Sequence, residues 1–461
     1  MLKILIKLLL ILVFYASPSL AQTISNKEFS KANTPVYLLD GFANFSAASR
    51  NQASAFDHAR LPNSTSNNLT KNAIAIGNDT QIFFKTGVRD KEKNKYGVIA
   101  KAEFNFNSDG RDAYPVLDQA FWFSENKKKG RLEVGNITAV NQKMKSGPAK
   151  FARGAGGING KYLENVNLPA SSSSNANIKS PRFILLAQSP IGHGGYARGF
   201  NNLSLNDDSS FNRGHFRALK DTSFDGVEDA TKLNYYTPRI AGLKVGLSYT
   251  PNSNDSGVTS TKYHNLDEAE LHNVVSLALN YLEYFDNLRL EVSATAERGK
   301  VQNSRSSSGI QRHDLSSYDL GLTLSYFGFD LGASYGSWGK SLSAKNGIYA
   351  CEYDSGSSLV SQDCSANSNR FSDPYYYTAG IAYSFGPIAG SLTTLRSEFE
   401  ANKYDAISFG LDYKLSKSLM PYFEVTRFEL ESNQPQASDL TNQVVFDNQG
   451  YVFLTGILIK F

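Results

Sequence analysis

The sequence predicts an all-β fold: a transmembrane antiparallel β-barrel of about 16 strands, with a long third external loop folded at least partly into the lumen. Three observations predict it. Segments with a two-residue hydrophobic period recur along residues 36–461, their connections alternate between short turns and long polar loops, and the last segment ends on Phe461. A closed barrel crosses lipid with such alternating segments, without long apolar helices.

The N-terminus has the order of a secretory signal peptide. Lys3 and Lys7 precede an apolar run, and small residues at 19–21 follow it before a polar chain begins. A membrane-spanning helix needs about 20 apolar residues, so the run is short for the alternative interpretation as a membrane anchor. We therefore predict a signal peptide over residues 1–21 and a mature chain of residues 22–461.

The composition gives no sign of helices that cross a membrane. Hydrophobic residues make up 41% of the chain, and no long apolar run follows residue 22. Aromatic residues make up 12%, with 25 Tyr and 29 Phe against 2 Trp, which favours strands and interfacial girdles. The 47 basic and 43 acidic residues leave a formal net charge of +4, so no nucleic-acid partner is implied.

Alternation of apolar and polar residues predicts the individual strands. We predict strands near residues 36–46, 81–89, 96–107, 116–124, 131–136, 232–237, 243–250, 273–284, 288–297, 318–326, 329–338, 375–385, 388–397, 406–415, 420–430 and 451–461. The count is about 16, an even number as single-chain bacterial barrels require.

The connections predict two different rims. The short connections are rich in turn-forming residues and read RDKEKNKYG, SENKKKG, TPRIAG, YFDN, YFGF, SFGP and KLSKS. Long polar loops, such as PNSNDSGVTSTKYHNLDEAE, lie between them. Outer-membrane barrels keep short turns on the periplasmic side, and an even strand count places the C-terminus there. We expect Phe461 to be an aromatic anchor and the C-terminal assembly signal.

The two faces of each predicted strand differ in polarity. Residues 243–250 carry apolar side chains at odd positions and Lys, Gly, Ser and Thr at even positions. One such strand also fits a soluble β-sandwich or a solenoid, but the signal peptide, the even count and the unequal rims together favour the barrel. Near the turns, we interpret Tyr284, Phe285, Tyr326 and Phe327 as girdle residues.

One connection, residues 137–230, is far longer than ordinary loops. It contains the glycine-rich RGAGGING and the polar PASSSSNANIKS, but also the apolar FILLA at residues 183–187. A purely solvated loop would not need apolar residues, so we expect part of it to pack inside the barrel. The glycine run lacks a following GK[ST], which favours a hinge over a phosphate-binding loop.

Three stretches carry a family resemblance: DQAFWF with GRLEVGN at 118–136, KLNYYTPRIAGLKVGLSYTP at 232–251, and the closing Phe461. They resemble the general porins of Gram-negative bacteria, especially the alphaproteobacterial type. The resemblance covers nearly all of the mature chain. It implies an outer-membrane homotrimer of sixteen-stranded barrels that passes ions and small hydrophilic solutes passively. It also implies a third loop that narrows the lumen, with acidic loop residues facing basic wall residues; here that loop is longer than usual.

Charged residues on predicted inward faces are the candidates for the constriction. The wall candidates are Lys85, Lys101, Glu103, Arg131, Glu133 and Lys232. The acidic candidates of the third loop are Asp207, Asp208, Asp225, Glu228 and Asp229. Together they would set a transverse field across the pore. Inward positions of a wide barrel are polar in any case, so simple solvation is the alternative for each.

Other chemistry receives little support from the sequence. Cys351 and Cys364, the only two cysteines, flank a polar stretch and predict a loop disulfide. They lack CxxC spacing, and we predict no metal and no cofactor. No HExxH or P-loop motif occurs, and we do not predict an enzyme. The alternative function is adhesion or receptor binding by the external loops, and bilayer conductance would separate it from a channel.

Overall fold

The computed structural model describes most of the chain beyond residue 31. The described residues are 32–53, 58–59, 69–70, 74–104, 106–107, 116–166, 182–190, 197–198, 230–253, 270–302, 313–341, 343, 353–354, 359–360, 373–399, 401–432 and 447–461. The predicted signal peptide lies outside them. Within these ranges, no helix combines the length and hydrophobicity needed to cross a membrane.

Sixteen strands form one antiparallel sheet that closes on itself. In chain order, β1 to β16 are Val36–Gln52, Ile74–Arg89, Lys95–Glu103, Val116–Asn126, Gly130–Asn136, Thr231–Tyr236, Leu243–Asn252, Glu270–Phe285, Leu288–Gln302, Leu315–Tyr326, Phe329–Ser337, Tyr375–Phe385, Ile388–Phe399, Asn402–Tyr413, Leu419–Glu431 and Asn448–Lys460. A short segment, Phe106–Asn107, continues β3 along β2. The predicted sixteen-stranded all-β barrel is confirmed.

The first strand closes the barrel. Phe42 of β1 faces Gln81 of β2 on one side and Lys460 of β16 on the other. Beyond β16, the Gly41 N–H donates to the Phe461 carbonyl over 3.0 Å, and the Phe461 N–H donates to the Gly41 carbonyl over 3.1 Å. The described sheet therefore has no free edge, which is the condition for spanning lipid with strands.

The two rims of the barrel differ, as the sequence predicts. Short turns lie at one rim, which we call the turn side, at residues 90–94, 127–129, 237–242, 286–287, 327–328, 386–387 and 414–418. Phe461 lies at this rim too. The opposite rim, the loop side, carries the longer connections. One exception occurs there, because only residues 400–401 join β13 to β14.

The exception arises because the strands continue beyond their apolar bands. Hydrophobic periodicity predicts a connection of residues 398–405. In the structure, the hydrogen-bonded ladder of β13 and β14 continues through these residues up to the pair Phe399 and Asn402. Outward-facing charges extend it, with Arg396 3.6 Å from Asp405 and Lys403 3.6 Å from Glu431. A prediction that depends on apolar alternation ends where the apolar band ends.

Polarity across the wall is the reverse of that in a soluble protein. On β7 and β8, the outward Leu247, Tyr249 and Leu277 are 45%, 41% and 42% exposed, whereas the inward Ser248 and Ser276 are fully buried. A β-sandwich would bury the apolar face instead. The apolar residues therefore form an outer, lipid-facing band, and the polar residues line the interior.

Aromatic side chains mark the turn-side edge of the outer surface. Tyr284, Phe285, Tyr326 and Phe327 are all at least half exposed beside their turns, and Phe461 joins them at 54%. These positions fit the predicted girdle, because amphipathic and aromatic rings favour the water interface of a membrane.

The connection from β5 to β6, the third loop, contains its own short elements. They are the helix α1, Val140–Lys143, the 3₁₀ turns Pro148–Lys150, Gly157–Asn159 and Lys161–Asn165, and the strand pair Arg182–Phe183 with Ala197–Arg198. Two further short strand pairs lie on the loop side, His58–Ala59 with Leu69–Thr70 and Tyr353–Asp354 with Leu359–Val360.

Part of the third loop builds an apolar core inside the barrel. Tyr162, Phe183 and Ile184 are fully buried in a cluster with inward-facing Phe399 and Tyr404 of β13 and β14. The loop-side ends of these strands therefore carry large hydrophobic residues on their inner face. The sequence predicts polar residues on the inner face of the strands. The apolar run FILLA indicates the loop side of this core, but nothing indicates its strand side.

Candidate functional site

The first half of the third loop follows the inner wall of the barrel. The Val140 N–H donates to Ser248 Oγ on β7 over 2.9 Å. The Ser146 N–H donates to Ser293 Oγ on β9 over 2.8 Å, and the Gly147 N–H then reaches β10. Each of these backbone N–H groups donates to an inward polar side chain. The hydrogen-bonding capacity of the loop backbone is therefore satisfied without strand pairing.

The same segment continues along the opposite side of the inner wall. Asp412 on β14 accepts the N–H groups of Arg153 and Gly154 over 2.9 and 3.0 Å. Glu424 on β15 accepts the Gly157 N–H over 2.9 Å. On β1, Asn44 donates its side-chain amide to the Gly154 carbonyl over 2.9 Å. Residues 137–166 thus make contacts around most of the inner circumference.

Glycines in the wall make room for this backbone. A Cβ atom on Gly321 would collide with the Ser146 carbonyl oxygen, and one on Gly246 would lie 2.5 Å from the Met144 sulfur. Gly380 stands equally close to the loop. Since such distances are too short for real side chains, only glycine allows the third loop to lie directly on these strands.

The second described part of the loop, residues 182–190, closes the layer. Ser397 Oγ on β13 donates to the Ile184 carbonyl over 2.6 Å, and Trp338 Nε1 donates to the Gln188 carbonyl over 3.1 Å. The Asn141 amide of α1 donates to Ser189 Oγ over 2.8 Å. Both halves of the loop are therefore tied to the wall and to each other.

The structure places three wall candidates, Arg131, Glu133 and Lys232, beside the start of the third loop. Arg131 lies 2.7 Å from Glu133 and 2.9 Å from Glu125, and Glu133 also contacts the Lys143 ammonium of α1 at 3.2 Å. Lys232 donates to the Ile137 carbonyl over 2.7 Å, where the loop leaves the wall. All lie on the inner face, as strand parity predicts.

The remaining wall candidates pair with strand carboxylates. Lys85 contacts Asp40 at 2.6 Å. Lys101 contacts Asp118 and lies 3.3 Å from Glu103. They are inward-facing, but their described partners belong to β1, β3 and β4 and not to the third loop.

Three lysines of the third loop meet acidic wall residues. Besides the Lys143 contact, Lys145 lies 3.0 Å from Asp319 of β10, and Lys161 lies 3.9 Å from Asp79 of β2. In these pairs the loop supplies the basic group and the wall the acidic one, whereas the facing of acidic loop residues and basic wall residues that the resemblance implies stays a prediction. The five predicted acidic loop residues, Asp207, Asp208, Asp225, Glu228 and Asp229, lie outside the described residues, as do Cys351 and Cys364.

Burial alters the titration of the loop lysines. Burial lowers the pKa of Lys143 to about 8, against the opposing effect of Glu133 and with the help of the Arg131 and Lys244 charges. Burial also lowers the pKa of Lys145, although Asp319 raises it. A lysine with a pKa near neutral pH gains or loses its charge when the pH changes within the physiological range.

Several lining residues were missed by the sequence analysis. Asp319 contacts Lys145, Glu297 accepts the Asn141 amide over 2.7 Å, and Asp412 and Glu424 hold the loop backbone. Each has the inward parity of its strand, so parity combined with charge would have found them. The loop residues that they contact have no strand parity, so no comparable sequence pattern predicts them.

Comparisons with known proteins agree with this architecture. A family model described as Gram-negative porin matches residues 9–433. An uncharacterized protein of Rickettsia felis is 26% identical over 498 residues, covering 98% of both chains, and one of Rickettsia typhi is 25% identical over 499 residues with the same coverage. In fold, the chain is similar to the anion-selective porin from Comamonas acidovorans, with a TM-score of 0.50, 12% identity, and coverage of 93% of this chain and 100% of that one.

The family match and the geometry of the barrel agree. The matched residues include most of a closed sixteen-stranded barrel whose outer surface is apolar and whose inner wall is polar. The chain therefore belongs to the Gram-negative porin family and is a multi-pass β-barrel of the outer membrane.

Proposed function

We propose that the protein forms a water-filled channel for passive diffusion of ions and small hydrophilic solutes, narrowed by its third loop. The observation that carries the proposal is the run of loop contacts from β7 to β15 and β1, which holds residues 137–166 against the inner wall. A sixteen-stranded barrel without such a lining encloses a wide aqueous lumen. A fixed inner layer reduces that cross-section, and its charges act at short range on passing solutes.

A bilayer experiment tests this function. Purified protein in planar bilayers is expected to give discrete conductance steps, and deletion of residues 150–215 is expected to increase the step size because it removes wall-lining segments. A shorter deletion, of residues 344–372 in the connection from β11 to β12, is the control and should leave the step unchanged. Absence of conductance would contradict the channel, and an unchanged step in the first variant would contradict narrowing by the third loop.

We also propose that the channel assembles as a homotrimer. β5 and β6 have only 7 and 6 residues. At about 3.3 Å per residue they are shorter than the apolar band of about 25 Å in such barrels. Their outward Val134, Leu233 and Tyr235 are nonetheless about two-fifths exposed. A neighbouring subunit would cover this low wall. Light scattering of the detergent-solubilised protein should give three chains per particle, and a single chain per particle would contradict it.

A further inference from the structure

Basic side chains line the turn-side mouth of the barrel, apart from the cluster of Arg131, Glu133 and Lys143. We call them the basic arc: Lys244, Arg239, Arg289, Lys150, Arg153 and Lys460. Strands β7, β9 and β16, the turn between β6 and β7, and the third loop each contribute to it. The proposed function assigns no role to these residues.

The first half of the arc runs from β7 to β9. Lys244 is the second residue of β7 and has the inward parity of its strand. The Arg239 guanidinium extends from the turn to the inner wall, where it donates to the Asn280 carbonyl over 3.0 Å and to its side-chain oxygen over 2.6 Å. Its charge acts on Lys244 on one side and on Arg289 on the other.

The second half runs from the third loop to β16. Lys150 is exposed in the mouth, and its charge acts on Arg289. Arg153 donates its guanidinium to Ser384 Oγ on β12 over 3.3 Å. Lys460, the last residue of β16, is in turn an electrostatic neighbour of Arg153. The six cations thus form two groups of electrostatic neighbours along the mouth, Lys244 to Lys150 through Arg239 and Arg289, and Arg153 with Lys460.

Two carboxylates beside the arc, Glu291 and Asp412, are already engaged. Glu291 pairs with Arg289 and accepts the Asn280 side-chain amide over 2.9 Å. Asp412 accepts two backbone N–H groups of the third loop at 2.9 and 3.0 Å. Among the residues that the structure describes, the other five cations of the arc form no salt bridge with a carboxylate.

We propose that the basic arc makes the pore anion-selective and binds small oxyanions, such as inorganic phosphate, at the turn-side mouth. This inference rests on the proposed channel function. Lys150 lies near Arg289, and Lys460 lies near Arg153, so like charges are neighbours at the mouth. An entering anion relieves their repulsion. Guanidinium and ammonium groups also match phosphate oxygens as hydrogen-bond donors.

Reversal potentials in a potassium chloride gradient test the selectivity. The wild-type channel is expected to be more permeable to chloride than to potassium. In the triple variant Lys150→Gln, Lys244→Gln and Lys460→Gln, we expect the chloride-to-potassium ratio to fall at least about twofold, because a mouth potential sets the local anion concentration. Millimolar inorganic phosphate should reduce the chloride current of the wild type, but not that of the triple variant.

A matched control removes the same charge elsewhere. Lys300, Lys403 and Arg427 have side chains that are 76%, 43% and 51% exposed, and they pair with surface carboxylates on the loop side. Changing all three to Gln should leave the permeability ratio and the phosphate block unchanged. If the arc triple variant does not fold, the three single variants are measured instead, and each should lower the ratio in part.

The outcomes separate this inference from the channel itself. A channel that conducts but prefers potassium, or whose ratio is the same in arc and control variants, overturns the inference and leaves the channel standing. Loss of phosphate block in both triple variants also overturns phosphate binding by the basic arc. A wild-type protein without any conductance contradicts the proposed function.

Discussion

Lys143 is the residue at which loop and wall electrostatics meet. Its ammonium contacts Glu133 at 3.2 Å and lies over the Phe121 ring at 5.4 Å. Burial opposes its charged form and Glu133 supports it, with the net effect that the pKa falls to about 8. An ordinary lysine remains charged across the physiological range, so this one differs in being titratable near neutrality.

We predict that pore selectivity changes with pH through this lysine. As pH rises from 7 to 9, Lys143 should lose its proton in the folded channel, and the ratio of anion to cation permeability should decrease with a midpoint near 8. Lys143→Met should remove this pH dependence and behave like the wild type at pH 9. Reversal potentials at a series of pH values measure it, and a midpoint near the ordinary lysine value of 10.5 would contradict it.

The same shift has a defined consequence for stability. The unfolded chain holds this proton up to the ordinary lysine pKa of 10.5, whereas the folded chain releases it at about 8. The unfolded state therefore binds more protons between these values, and the contribution of Lys143 to the free energy of unfolding rises with pH across that window. Below pH 8 the cost of charging a buried lysine is present in full.

At the scale of elements, β7, β10 and β12 support the third loop because each has an inward glycine, without a side chain, where the loop lies. Their inward glycines let the loop backbone lie on the sheet, and neighbouring Ser248 and Thr323 accept its N–H groups. The loop is therefore held by backbone contacts with the strands as well as by charge pairs. This arrangement argues for a fixed lining and not for a loop that moves freely in the lumen.

We predict that Gly321→Ala displaces the loop. Its Cβ atom would collide with the Ser146 carbonyl oxygen, whereas a Cβ atom on Gly390 would have its nearest neighbour at 4.0 Å. The free energy of unfolding in detergent should fall by about 1–3 kcal/mol, the usual result of overpacking. The single-channel conductance should change as well.

Gly390→Ala is the matched control for that variant. It lies on the outer face of β13, away from the third loop, and should leave both the stability and the conductance near their wild-type values. Equal effects in the two variants would mean that a methyl group added to any strand glycine perturbs the barrel and that the Ser146 contact does not hold the loop.

For the whole molecule, the last residue of the chain extends the ladder of β1 and β16 that closes the barrel. Phe461 exchanges two backbone hydrogen bonds with Gly41, and its ring lies 54% exposed at the turn side. The backbone joins β1 to β16, and the ring belongs to the interfacial girdle. Its predicted role as an assembly signal combines these two properties.

We predict that removal of Phe461 impairs barrel assembly more than Phe461→Ala does. The deletion loses both hydrogen bonds and the ring, whereas the substitution loses only the ring. The folded fraction after insertion into lipid vesicles, read from the gel shift between unheated and heated samples, measures the effect. Phe385→Ala is the control, since Phe385 is 71% exposed beside another turn-side turn. If it impairs folding as much as the deletion, strand closure is not the cause.

Much of the fold follows from local patterns. All sixteen predicted strands occur, and the turn-side ends agree closely because Gly, Pro, Asn and Asp mark those turns. The loop-side ends were less predictable, as β13 and β14 show, because charged residues such as Arg396 and Asp405 continue the ladder without hydrophobic alternation. The inward orientation of Arg131 and Glu133 also followed from parity alone.

The sequence by itself determined the barrel, the two unequal rims and the inward set of polar residues, since these depend on alternation and turn chemistry within each hairpin. Only the tertiary structure decided which charges face one another. It placed basic loop residues beside acidic wall residues and gathered the basic arc from distant segments. Parity states which way a side chain points, but the path of the third loop across the wall, and with it the electrostatics of the pore, depends on contacts between residues far apart in the chain.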